Sequence, residues 1–305
     1  MNTLSRRRFI ALTGMTGVAG FAASMLPRTA WARRAGFPAG IQLYTVGKPL
    51  QEDVPGTLKQ LHEIGYREVE TAGLAKHSVQ EFRAMLDAAG LVCPSTHLQL
   101  SGDNLEEQFA VANALGAHYA VSSMLRTSSP SGAAPAHSAT QSLGLDGFKN
   151  MAAQMNDMGA KAKAAGLQYA YHNHNFEFEK MPDGNPGYDV LLKETDPALV
   201  KFEIDCGWMV VAGSDPVAYF HKYPGRFRML HIKDFQPVPK PSISLRGPER
   251  PQGADLGKGF VDYTKIFASA RAAGIEHIFV EQEAPFTVSQ MDSAKVDYAF
   301  LQKFS

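Results

Sequence analysis

The chain has 305 residues, 30 of them basic and 30 acidic, for a formal net charge of zero. That balance leaves no basic excess to draw in nucleic acid or an acidic membrane surface. Hydrophobic residues make up 45% of the chain, an ordinary share for a globular domain.

Residues 1–32 read as an address rather than as fold. Ser5-Arg6-Arg7-Arg8-Phe9-Ile10 precedes an apolar, Gly- and Ala-rich run from Ala11 to Leu26, and Ala30-Trp31-Ala32 offers the small residues a signal peptidase cuts after. The paired arginines, with Ser before and Phe after, resemble a twin-arginine export signal. The expected partner is the twin-arginine export machinery, and the expected location is the periplasm or another exported compartment. That route carries folded proteins, so it suits an enzyme that takes up a metal before export. No other segment approaches the roughly 20 apolar residues that a stable membrane span needs.

Residues 33–305 repeat one pattern: an Ala- and Leu-rich helix, a glycine, then an apolar strand. The glycines are Gly65, Gly90, Gly116, Gly166 and Gly274. Each supplies the left-handed turn that stops a helix. Eight strands can be placed, ending near Tyr44, Glu70, His97, Ser122, His172, Asp205, His231 and Glu281. Helix–strand alternation argues for a parallel sheet, and eight strands close a (β/α)8 TIM barrel as a single domain, for which about 250 residues are typical. An open doubly wound sheet is the alternative, but nothing like Gly-x-Gly-x-x-Gly follows the first strand. The long connections Thr127–Gly144 and Gln236–Gly259 both follow strands, and so fall on the catalytic face. Cys93 and Cys206 fall in strands 3 and 6, too far apart across a barrel for a disulfide, and are expected as free, buried thiols.

Four successive strands end in side chains able to bind a divalent cation: His172, Asp205, His231 and Glu281. Carboxyl-terminal strand ends converge at a barrel mouth, so these four are expected to form one site. A mixed imidazole and carboxylate set suits Mn²⁺, Co²⁺, Zn²⁺ or Mg²⁺.

Several segments carry a family resemblance: Gly40-Ile41-Gln42-Leu43-Tyr44, Tyr171-His172-Asn173-His174-Asn175-Phe176-Glu177, Glu203-Ile204-Asp205-Cys206-Gly207-Trp208, Leu230-His231-Ile232-Lys233-Asp234 and Val280-Glu281-Gln282-Glu283. From about Gly40 to Phe304 the chain resembles the xylose-isomerase-like barrels, a group of sugar isomerases, epimerases and inosose dehydratases. The resemblance implies one divalent metal held from strands 5 to 8, commonly by Glu, Asp, His and Glu. Asp205, His231 and Glu281 match the last three, and His172 stands where the first Glu is expected. His174, two residues on, shares its side of the strand and is the alternative ligand, and Glu283 is the alternative to Glu281. The resemblance also makes Lys233 a substrate contact. His97 is weighed as pocket lining against packing, and Tyr44 and Trp208 as sugar-stacking surfaces against core. Asp234 is left open.

A metal on adjacent sugar oxygens polarises a carbonyl, and a carboxylate removes the neighbouring proton. Glu281 is the candidate base, with His172 a second candidate. Two-base epimerisation uses the strand-5 Glu that this chain lacks, whereas β-elimination needs one base. The expected activity is therefore that of a lyase or dehydratase on a keto-sugar, keto-inositol or 3-keto-glycoside. A true ketose epimerase, an aldose–ketose isomerase and a non-catalytic sugar-binding barrel are the alternatives, and a homo-oligomer is left open.

Overall fold

The computed structural model describes residues 36–99, 103–123, 125 and 142–304. Residues 1–32, read as an export signal, lie outside the described residues, as does 127–141 of the first long connection. Seven strands come first: β1 (Ala39–Gln42), β2 (Glu68–Thr71), β3 (Val92–His97), β4 (Tyr119–Ser122), β5 (Gln168–His172), β6 (Val200–Asp205) and β7 (Phe227–Ile232). Two-residue strands β8 (Asp234–Phe235) and β9 (Gly253–Ala254) follow, then β10 (His277–Val280). The order β1-β10-β7-β6-β5-β4-β3-β2 closes on itself, and every neighbouring pair is parallel. The eight-stranded barrel expected from the sequence is therefore present, and the open sheet is not.

The flanking helices are α1 (Gly47–Glu52), α2 (Val54–Ile64), α3 (Val79–Ala89), α4 (Leu105–Leu115), α5 (Gly144–Ala164), α6 (Gly187–Glu194), α7 (Cys206–Val211), α8 (Pro216–Lys222), α9 (Tyr263–Ala273) and α10 (Gln290–Leu301). Their ends follow local chemistry. Ser78 and Glu81 form a reciprocal capping box that starts α3, a device worth about 1 kcal/mol. Gly90 ends that helix at φ 71°, and Gly274 ends α9 at φ 89°. Both angles lie in the left-handed region where a side chain would be strained. Between its caps α3 buries Phe82 and Leu86, each contributing roughly 1.5–3 kcal/mol by removal from water. No helix among the described residues is long and apolar enough to cross a membrane.

Inside the barrel, Tyr119, Val121, Ala170, Met229 and Phe279 form a separate buried apolar cluster. Side chains alternate along a strand, so the residue two positions further on shares the inward face. From Ala170, Met229 and Phe279 that step leads to His172, His231 and Glu281. The apolar cluster is thus the floor of the site.

Some boundaries differ from expectation. Strand β1 stops at Gln42, and Tyr44 falls on the 3-10 turn Leu43–Val46. Strand β10 stops at Val280, although the Glu281 N–H still donates to Ile232 O at 3.0 Å. Cys206 opens α7 instead of lying in a strand. It and Cys93 are free and buried, as expected. The pair β8 and β9 went unread because two-residue strands carry no periodicity. It is organised by Asp234, whose carboxylate accepts from the N–H groups of Phe235, Gly257, Gly259 and Val261. Asp234 therefore shapes the long loop after β7.

Candidate metal and substrate site

The donor atoms of His172, Asp205, His231 and Glu281 all lie within 4.8 Å of one another. Parallel pairing brings them together: Asp205 is the register partner of His231 on the neighbouring strand. The Asp205 carboxylate is fixed by the helix it starts, since one oxygen accepts from the Trp208 N–H at 2.7 Å. Capping and site roles are thus compatible. The other oxygen, Oδ2, is buried and makes no hydrogen bond, although Lys233 Nζ lies 3.1 Å away. Nδ1 of His231 is 2.8 Å from Glu281 Oε2, and Nε2 of His172 is 3.9 Å from Asp205 Oδ2. Two carboxylates and two imidazoles, with one carboxylate oxygen lacking a hydrogen bond, fit a divalent cation of the borderline class.

A deeper layer, which sequence reasoning did not assign, lies beneath these residues. Glu70 and Glu203 are fully buried. Glu70 accepts from Gln42 Nε2 at 2.8 Å and from the Ser95 hydroxyl. His97 Nε2 bridges the two carboxylates, 3.1 Å from Glu70 and 3.2 Å from Glu203. His97, His172, Glu203 and His231 form a second group whose donor atoms lie within 4.8 Å. The missed signal was alternation: Glu203 lies two residues before Asp205 and so faces the same way.

Burial and charge set the protonation of these groups. Burial works to raise the Glu70 carboxyl, but His97 and His231 hold it below the usual carboxylate range. Burial and the neighbouring Glu70 push Glu203 up to about 7. Burial pushes Asp205 up to about 6 against the pull of Lys233. Burial would lower His97, yet Glu70 and Glu203 hold it up at about 10. Burial keeps His172 well below the ordinary imidazole range, with His231 adding to the effect. Burial also acts to raise Glu281, but Lys233 and His231 outweigh it and keep the carboxylate ionised.

The remaining candidates divide. His174 lies beside the site with its Nδ1 buried and unpartnered, but only His172 joins the convergent groups. Glu283 is held outside the ligand set by Lys233 at 3.0 Å and Arg250 at 2.6 Å. Lys233 differs from the expected substrate contact. It is buried, and its ammonium is ion-paired with Asp205, Glu281 and Glu283. Gly207 makes room for it, since a Cβ there would stand 2.5 Å from Lys233 Cγ. Trp208 is 1% exposed, with Lys233 Nζ 5.2 Å and Arg250 6.0 Å from its ring. It packs the site's cations and offers no open stacking face. Tyr44, 60% exposed, is not drawn into the cluster. His172 is 2% exposed, with both ring nitrogens turned to carboxylates. That suits a ligand and withholds the role of base. His97 and Glu281 keep some side-chain exposure, 13% and 12%, and mark where a substrate can reach the layer.

Comparison with known proteins agrees with this fold. The profile of a family described as "Xylose isomerase-like TIM barrel" matches residues 58–303. An inosose dehydratase of Lacticaseibacillus casei is 28% identical over 148 residues, covering 45% of this chain and 48% of that protein. The match thus spans about half the length of that relative. The crystal structure of a sugar phosphate isomerase/epimerase from Parabacteroides distasonis superimposes with a TM-score of 0.70 at 26% identity, covering 88% of this chain and 94% of that one. The IOLI protein, solved with a bound zinc atom, shares the fold at a TM-score of 0.65 and 13% identity, covering 87% of this chain and 96% of that one.

Proposed function

Because the chain belongs to the xylose isomerase-like TIM barrel family, we propose that it is a carbohydrate enzyme that uses one divalent cation to remove a proton beside a carbonyl. The observation that carries this reading is the convergence of His172, Asp205, His231 and Glu281 at one end of the barrel. A cation held there supplies Lewis-acid polarisation of a substrate oxygen. The chain's own groups do the rest. The Glu281 carboxylate is ionised and its side chain is 12% exposed, so it is the group placed to accept the proton. Lys233, 2.9 Å from that oxygen, fixes the carboxylate's position. His97, which keeps 13% side-chain exposure while bridging Glu70 and Glu203, is placed to contact a substrate hydroxyl. The apolar floor closes the far side to water.

The reaction proposed is elimination, with a keto-sugar, keto-inositol or 3-keto-glycoside as substrate. Its support is the burial of His172, which leaves one presented base where two-base epimerisation needs two. The inosose dehydratase relatives point the same way. A screen of keto-inositols and 3-keto-glycosides with Mn²⁺ or Co²⁺, followed by NMR, tests it. Efficient reversible epimerisation of a free ketose would replace this reading with the two-base one, and metal-independent sugar binding without turnover would replace both. We also propose export by the twin-arginine route, supported by Arg6, Arg7 and the apolar run after them. Cell fractionation with Arg6→Lys/Arg7→Lys checks it, the expected result being retention of the variant in the cytoplasm.

A further inference from the structure

Each imidazole of the ligand set has a second nitrogen, and each second nitrogen faces a buried carboxylate. Nδ1 of His172 lies 3.2 Å from Glu203 Oε2. Nε2 of His231 lies 2.7 Å from Glu70 Oε2. The other nitrogens, Nε2 of His172 and Nδ1 of His231, face Asp205 and Glu281. We propose that Glu203 and Glu70 are positioning residues that hold these two rings in the tautomers and orientations offering Nε2 of His172 and Nδ1 of His231 to the cation. This rests on the metal reading of the upper four residues.

Three features support the assignment. First, both carboxylates are placed by their surroundings. Glu203 is the register partner of His172 across the β5–β6 ladder, and Glu70 is tied to Gln42 and Ser95. A carboxylate accepting a ring N–H sets which nitrogen is left with a free lone pair, and strengthens it as a donor. Second, Glu203 Oε2 meets both rings, 3.2 Å from His172 Nδ1 and 3.2 Å from His231 Nε2. His97 lies between Glu203 and Glu70 and bridges the two buried carboxyls. Third, the lower group cannot simply be a second cation site beside the first. A cation there would take Nδ1 of His172 and Nε2 of His231. With the upper site also filled, each ring would be ligated at both nitrogens and stripped of its last ring proton. The lower layer is therefore coherent as support for the upper one.

The test titrates Co²⁺ into the metal-free full chain and into Glu203→Gln, Glu70→Gln and Glu203→Asp. Affinity is read by competition with a chromophoric chelator, and geometry by the visible absorption of bound cobalt. The wild type is expected to bind one ion per chain. Each Gln variant should bind about 10- to 100-fold more weakly and shift the cobalt spectrum, with Glu203→Asp in between. If Glu203→Gln does not fold, Glu203→Asp and Glu70→Gln carry the same comparison. Wild-type affinity and spectrum in the folded variants would overturn the positioning role while leaving the metal reading intact. Two ions per wild-type chain, one lost on substitution of Glu203, would make Glu203 a ligand and overturn it differently. Absence of Co²⁺ binding in the wild type would remove the metal reading, and the proposal with it.

Discussion

The ammonium of Lys233 stands 3.1 Å from Asp205 Oδ2. The same nitrogen lies 2.9 Å from Glu281, so one buried cation is shared by the two carboxylates of the convergent group. Removing one partner of a buried ion network leaves the others uncompensated, at a cost of about 3–5 kcal/mol. Lys233→Met should therefore lower the stability of the metal-free protein by roughly that amount. Added Mn²⁺ should then stabilise the variant more than the wild type, because the divalent ion no longer meets a neighbouring positive charge. Denaturant melts with and without Mn²⁺ check both statements. Equal stabilisation by Mn²⁺ in the two proteins would place the ion away from Lys233.

Ligand substitutions should follow the convergence. Asp205→Asn and His231→Ala are expected to abolish most metal binding, measured by elemental analysis after dialysis. His172→Ala should be more damaging than His174→Ala, since His174 stands outside the convergent groups. The reverse order would move the strand-5 ligand by two residues.

Glu281→Gln should reduce kcat on a keto-inositol or 3-keto-glycoside by about 10²–10³-fold, because the amide cannot accept a proton and is a poorer ligand. Metal content, measured alongside, separates the two causes. A kcat close to wild type with normal metal content would put the base elsewhere.

One pH effect lies outside the site. Burial pushes Asp297 up to about 7. One of its oxygens accepts from the Leu256 N–H at 2.8 Å, and the other is buried without a hydrogen-bond partner. A carboxyl with a raised folded-state pKa holds its proton more tightly folded than unfolded. Its contribution is full below the unfolded value near 4 and is lost as pH rises through about 7. Asp297→Asn should remove this dependence, gaining roughly 1–3 kcal/mol on the wild type between pH 4 and pH 8. Melts at the two pH values read the difference, and parallel pH profiles would contradict it.

Strands β5, β6, β7 and β10 were legible because each pairs a largely apolar run with a polar residue at or just past its carboxyl end, and register then does the assembly. The helix-stopping glycines were legible for a local reason: Gly65, Gly90, Gly116, Gly166 and Gly274 all have positive φ. Glu70 and Glu203 were harder to assign. A buried acid is stable only when paired, and the partner of Glu70, His231, lies 161 residues away in sequence. Glu70 lies next to the end of strand 2, but nothing within that strand says that the ring it meets belongs to strand 7. The ion pairs of Lys233 were not legible for the same reason. Its carboxylate partners, Asp205, Glu281 and Glu283, come from the ends of two strands that the barrel brings beside the end of β7. Tyr44 and Trp208 show the limit of residue type as a guide, since one is exposed on a turn and the other sealed between cations.

As proposed, His172, Asp205, His231 and Glu281 hold one divalent cation. Anomalous diffraction at the cobalt edge, from crystals of the Co²⁺-loaded full chain, tests it most directly. The expected result is a single peak within about 2.0–2.3 Å of donor atoms from all four residues, with Glu70 and Glu203 behind the imidazoles. A peak coordinated instead by His97 and Glu203, or no peak at the barrel mouth, would contradict it.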